Sequence, residues 1–228
     1  MSSLRKAIVI ASLILAGTST LSVLAAGSGG GGMGSGSYSS TDNNQSTEQL
    51  SDKAFRTGIK QRDRAIKMEA KAAAAKTDKA RDKALVKAQK SYVKAITKQG
   101  EALQLNPQNY AAANELGYAL RKTGQYRKAI GAYNYALDIN PNFHRATEYR
   151  GEAFLALGMF DQTKKSYMTL FRSDRDLANQ LMASIDTWLA DLDDNPEPAQ
   201  AEFVTWIEER KRLAVITEDL STNNTRNW

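Results

Sequence analysis

The chain has 228 residues, of which 42% are hydrophobic and 25% are charged, which excludes a multi-span membrane protein and a wholly disordered chain. It has no cysteine and one histidine, so disulfides, thiolate or multi-histidine metal sites and cysteine nucleophiles are excluded, and no cofactor is predicted. The net charge of +6 conceals two opposite blocks. Residues 53–98 carry 15 Lys and Arg against four Asp and Glu, whereas residues 174–219 carry four against twelve.

Residues 1–25 have the pattern of a cleaved secretory signal peptide. Two basic residues precede the apolar run 7–16, and a valine and an alanine occupy the two positions that a signal peptidase reads before cleavage after Ala25. We expect export of the mature protein into a bacterial periplasm. An uncleaved membrane anchor is the alternative, although the polar residues 17–20 dilute the apolar stretch.

The composition of residues 26–107 changes at residue 53 and so predicts two different segments. Residues 26–52 are rich in Gly, Ser, Thr, Asn and Gln and nearly lack apolar side chains, which predicts a disordered tether. Residues 53–107 have no proline before their last position and are dominated by strong helix formers, which predicts one long basic helix that includes half of a repeat. Its middle, residues 69–83, is polar nearly all round, which is typical of a solvent-exposed helix.

Two segments that lie 34 residues apart share one pattern. Residues 91–107 and 125–141 both carry Tyr, Lys, Ala and Ile near their start, then Ala-Leu, and finally Asn-Pro. Two-helix units with a period of 34 define the tetratricopeptide repeat family, which residues 110–142 resemble closely. The resemblance implies an all-α fold, a short helical solenoid in which residues 108–175 form one full and one degenerate repeat.

The degenerate repeat is followed by a predicted cap. Residues 144–175 keep the glycine and aromatic pattern but have Thr163 and Leu170 where the full repeat has alanine, and we still expect a helix pair there. Residues 176–220 predict a two-helix cap, because apolar residues recur at helical spacing on both sides of a proline-containing stop. Residues 221–228 are expected to be a frayed tail.

The resemblance also implies a binding face. Tetratricopeptide repeats bind peptides on a concave face that the first helix of each pair lines. Some members clamp a partner's terminal carboxylate with Lys and Asn, but Glu148 and Glu152 among the corresponding positions depart from that pattern. The resemblance therefore implies protein or peptide partners without specifying their sequence. The residues expected on this face are Asn114, Tyr118, Arg121, Lys122, Arg145, Glu148, Glu152 and Leu155.

The basic segment offers an alternative function. Its cations could bind an anionic envelope polymer or a lipid surface in a salt-dependent way, through residues 53–98. No nucleic acid is expected, because Phe55 and Tyr92 are the only aromatic residues in this segment and provide no stacking platform. The opposite charges of the two blocks also allow self-association.

A catalytic role is the least expected function. His144 is the only imidazole and is expected to be a surface residue, because no nucleophile or carboxylate is visibly placed beside it. Asp191, Asp193 and Asp194 lack the ligand spacing and the glycine of a calcium loop. We therefore expect a non-catalytic exported scaffold or adaptor that helps to assemble an envelope complex.

Overall fold

The computed structural model describes residues 46–224, and the side chains of residues 217–224 are left out of that description. Within this part of the chain there are eight α-helices and no strand, which confirms the predicted all-α class. No described helix is long and apolar enough to cross a membrane. The helices are α1 (Thr47–Ala73), α2 (Asp78–Leu105), α3 (Tyr110–Lys122), α4 (Tyr126–Ile139), α5 (His144–Ala156), α6 (Phe160–Ser173), α7 (Arg175–Ala190) and α8 (Pro198–Asn224).

The first two helices form an antiparallel hairpin, so the single long helix predicted over residues 53–107 is wrong. α1 ends at Ala73, and α2 begins after Thr77, whose side-chain oxygen accepts a hydrogen bond from the backbone N–H of Ala80. Because the intervening turn contains neither proline nor glycine, the composition of the segment gives no sign of it.

Buried alanines lie where the two helices of the hairpin contact each other. Ala65, Ala88 and Ala95 are at most 3% exposed. Gly58 lies so close to Gln99 that a Cβ added at Gly58 would stand 2.3 Å from the Gln99 amide nitrogen. Small side chains at these contacts let the two helix backbones approach each other. Residues 69–83, which were predicted to be exposed nearly all round, are exposed at most positions, and Ala72 is the buried residue among them.

α1 also begins inside the predicted tether. The side-chain oxygen of Ser46 accepts a hydrogen bond from the backbone N–H of Gln49, and the Gln49 side chain accepts one from the Ser46 backbone N–H. This capping box starts the helix at Thr47, so residues 47–52 are helical and not part of a disordered tether. The rest of the tether and the predicted signal, residues 1–45, lie outside the described residues.

Two shorter helix pairs follow, α3 with α4 and α5 with α6. In each pair the turn contains a glycine with a positive φ, +78° at Gly124 and +68° at Gly158, a conformation that other residues adopt only at a cost. Thr163 and Leu170, which replace the alanines of the full repeat, are fully buried. The degenerate unit therefore still forms a helix pair, as predicted.

Tyr133 fills the space between the helices of the first of these pairs. Its side chain is fully buried between Ala129 and Ala136, which are fully buried as well. The ring lies against Gly117, where an added Cβ would stand 2.5 Å from a ring carbon. The small residues around this ring let α3 and α4 pack closely.

The C-terminal cap predicted over residues 176–220 consists of α7 and α8. Phe203 and Ile207 of α8 are fully buried in an apolar cluster that also contains core residues of α6 and α7. The helical backbone continues over residues 221–224, where a frayed tail was predicted. Residues 225–228 lie outside the described part of the chain.

Candidate functional site

The first helices of consecutive pairs line one face of the array. α3 contacts α1 on one side and α5 on the other, and α5 contacts α7. This is the face that the sequence predicts to be the concave one. We call it the first-helix face, and its central side chains are Tyr118, Arg121, Lys122, Arg145, Tyr149 and Glu152.

Two tyrosines of this face, Tyr118 and Tyr149, lie beside each other, and the ring of the buried Tyr92 of α2 lies next to Tyr118. The ring centroids of Tyr92 and Tyr118 are 6.1 Å apart, and those of Tyr118 and Tyr149 are 5.2 Å apart. The Arg121 guanidinium lies 5.4 Å from the Tyr118 centroid and 5.2 Å from the Tyr149 centroid. These distances are within the range of cation–π contacts, so the cation and the two rings hold one another in place.

Carboxylates lie beside four cations of the first-helix face. Three of the pairs join α3 to α1 or to α5 and so fix the packing of these helices, whereas the pair of Arg145 with Glu148 lies within α5. The pairs are Arg62 with Glu115 at 2.7 Å, Lys122 with Glu69 at 2.9 Å, Arg121 with Glu152 at 2.5 Å and Arg145 with Glu148 at 3.6 Å.

α7 completes this network from the far side of α5. The Ser184 hydroxyl donates a hydrogen bond of 2.6 Å to Oε1 of Glu152. Nη1 of Arg145 donates one of 2.6 Å to Oε1 of Gln180. The polar groups at the centre of the face therefore have partners on three neighbouring helices.

Burial shifts the acid–base chemistry of two carboxyl groups here. The pKa of Glu148 is raised to about 7, first by burial, which penalises its charged form, and second by the neighbouring Glu152 carboxylate. Arg145 opposes part of this shift. Burial also raises the pKa of Glu115, although the charge of Arg62 opposes it.

Five of the residues predicted for the face lie on it together, and three do not. Asn114 and Glu148 are each 2% exposed, and Leu155 is buried in the apolar cluster of α6 to α8. The side chains that face outward beside the first two are their neighbours Glu115 and Tyr149. The predicted residues that the structure brings together are Tyr118, Arg121, Lys122, Arg145 and Glu152.

The two buried polar residues of this set occupy the same position of the repeat. Asn114 and Glu148 occupy equivalent positions 34 residues apart, and both turn toward the core. Tyr149, which the prediction missed, lies four residues after Arg145 and three before Glu152, the spacing of one helix stripe. That spacing was available in the sequence.

The histidine and the acidic residues between α7 and α8 take part in none of the pairs described above. His144 is the first residue of α5. Asp191, Asp193 and Asp194 lie between α7 and α8. Among the described residues, no group of three His, Asp or Glu side chains could hold a metal ion.

A comparison with protein-family models identifies the repeat. A family model described as a tetratricopeptide repeat matches residues 110–143. Among solved structures, the chain is similar to the first TPR of Spaghetti (RPAP3) bound to the HSP90 peptide SRMEEVD, with 18% sequence identity and a TM-score of 0.42. That likeness covers 60% of this chain and 95% of the other. No curated protein matches the chain.

Proposed function

We propose that this chain, which contains a tetratricopeptide repeat at residues 110–143, is a non-catalytic scaffold that binds a segment of a partner protein on the first-helix face. The observation that carries the proposal is the pair of partly exposed rings, Tyr118 and Tyr149, on either side of Arg121. Tyrosine offers a large apolar area and a hydroxyl, the combination that interfaces favour.

The ion pairs indicate what kind of segment suits this face. A ligand carboxylate that approached Arg121 or Lys122 would compete with Glu152 or Glu69 and leave that acid unpaired. Leaving a partly buried charge without its partner is costly. We therefore expect the partner segment to be recognised by apolar and hydrogen-bonding groups, with little dependence on salt.

The N-terminal residues bear on the compartment in which the protein acts. We propose that residues 1–25 direct it out of the cytoplasm and that it helps to assemble a complex in a bacterial envelope. The support is the sequence pattern of the signal. Fractionated cells should yield a periplasmic chain that begins at Ala26. An unprocessed chain in the cytoplasm would contradict this part of the proposal.

A matched pair of tyrosine variants tests the scaffold function. Tyr118→Ala removes a ring from the first-helix face, whereas Tyr135→Ala removes an exposed ring from α4, whose hydroxyl donates to the carbonyl of Pro107. Each variant serves as bait in an envelope extract, after circular dichroism has shown that both are folded. A partner retained by wild type and by Tyr135→Ala, but lost with Tyr118→Ala, supports the proposal. A partner retained by both variants, or none retained by wild type, contradicts it.

A further inference from the structure

A groove runs between α1 and α2. One wall carries Arg64 and Lys71 of α1, and the other carries Lys87, Lys90 and Lys94 of α2. A second depression shares Lys71 and Lys87 with the first and continues it past Lys83 toward the hairpin turn. We call the combined feature the cationic groove, and its cations are Arg64, Lys71, Lys83, Lys87, Lys90 and Lys94.

All six cations of the groove are exposed, and none has an ion-pair partner among the residues that the structure describes. The four acids of the basic segment are engaged elsewhere. Asp63 pairs with Arg62, Glu69 with Lys122, and both Asp78 and Asp82 with Arg81. The positive charge of the groove is therefore available to a ligand.

The spacing of these cations makes the groove linear. Lys83, Lys87, Lys90 and Lys94 recur at intervals of four, three and four residues, which places them on one stripe of α2 about 16 Å long. Arg64 and Lys71 lie across the groove, two turns apart on α1. Like charges this close repel one another, and an anion between the walls would relieve that repulsion.

We propose that the cationic groove binds a linear phosphate polymer that lies along it and contacts both walls. This site is separate from the first-helix face and goes beyond the scaffold function. Five of its six cations are lysines, which bind phosphate oxygens as point charges. The uncharged lining residues are Met68, Ala75, Ala80, Ala84 and Ser91, so the groove offers no aromatic ring on which a nucleic-acid base could stack.

Two other occupants fit the groove less well. A planar bilayer would contact the rims of the groove first, so its headgroups would reach fewer of the cations on the walls. The acidic block of a second copy is already partly neutralised within its own chain, because Asp186 pairs with Lys211 and Glu202 pairs with Lys164. A linear polymer is narrow enough to contact both rows of cations, and its charges are not neutralised by internal ion pairs.

Titration of the protein with inorganic polyphosphate at increasing salt tests the proposal. Six phosphate contacts predict a slope of about −4 for the logarithm of the binding constant against the logarithm of the salt concentration, a loss of about 300-fold between 50 and 200 mM. Lys87→Gln with Lys90→Gln should bring the slope to about −3. The control, Arg127→Gln with Lys165→Gln, removes two exposed cations outside the groove and should leave the slope unchanged.

Three outcomes would overturn the proposal. If both double variants weaken polyphosphate binding equally, net charge and not the groove carries it. Binding to vesicles that contain phosphatidylglycerol, without binding to polyphosphate, would assign the groove to a lipid surface. A particle mass that falls as salt rises, together with no polyphosphate binding, would assign it to a second copy of the chain.

Discussion

The two charged surfaces of this molecule use the same residue types in opposite ways. On the first-helix face, Arg62, Arg121, Lys122 and Arg145 each lie within 3.6 Å of a carboxyl group of the protein, which occupies the position that a ligand anion would take. In the cationic groove, no described acid pairs with any of the six cations. This difference in ion pairing shows that the net charge of a segment does not indicate which of its cations are available to a ligand.

The largest loss of stability is expected from a substitution in the core below the first-helix face. Tyr133→Ala removes a fully buried ring, and we expect it to lower the free energy of unfolding by about 3–5 kcal/mol. Tyr135→Ala, two residues away on the exposed side of α4, should cost under about 1 kcal/mol. Urea denaturation measures both values. Similar losses from the two variants would contradict the packing described for this repeat.

Removing one cation from each surface compares the two regions directly. Arg121→Ala leaves the Glu152 carboxylate without its cation, and because Arg121 is only 17% exposed, we expect a loss of about 2 kcal/mol in the free energy of unfolding. Lys87→Ala removes an exposed cation and should change stability by under about 0.5 kcal/mol. Denaturation curves at one salt concentration give both numbers. Equal effects would show that the pairing does not distinguish the two surfaces.

Glu148 should make the stability of the first-helix face depend on pH. Because its pKa is raised to about 7 in the folded protein, ionisation costs stability as pH rises from its unfolded pKa of about 4.5 through 7. Glu148→Gln should therefore match wild type near pH 4 and be more stable by about 1–3 kcal/mol at pH 8. The measurement is thermal denaturation of both proteins across this range. A variant less stable than wild type at pH 8 would show that the carboxylate is held charged by Arg145.

A change of sign in the cationic groove should have the smallest effect. Lys90→Glu places an acid three residues after Lys87 and four before Lys94, where it can pair with both. We expect a gain of about 0.5 kcal/mol at low salt that disappears at 0.5 M salt, since such pairs are screened. Thermal denaturation at the two salt concentrations measures it. A loss of stability at low salt would indicate that Lys90 already has a stabilising partner.

The repeated part of the fold was predictable from the sequence. The period of 34 residues, the turn glycine Gly124 and the small residues Ala129 and Ala136 each require a specific backbone or packing, so they predict the helix pairs residue by residue. The hairpin was not predictable in the same way. Its turn is built from residues that are compatible with a helix, and its alanines suit a solvated helix as well as a close helix contact.

The binding face was predicted in part. The stripes of α3 and α5 were identified, but Asn114 and Glu148 within them are buried, whereas their neighbours Glu115 and Tyr149 are partly exposed. Adjacent helix positions differ by about 100°, so a short amphipathic helix leaves the edge of its buried face ambiguous. The pairing of Arg121 with Glu152 depends on how α3 and α5 pack, which no spacing within one helix determines.

The salt dependence of polyphosphate binding tests the contrast between the two surfaces most directly. The measurement compares wild type, Lys87→Gln with Lys90→Gln in the groove, and Lys122→Gln with Arg145→Gln on the first-helix face. The two double variants lose the same net charge. We predict that the groove variant reduces the magnitude of the slope by about 1.4 and that the first-helix variant leaves it unchanged. Equal slopes for the two variants, or a change confined to the first-helix variant, would contradict the account.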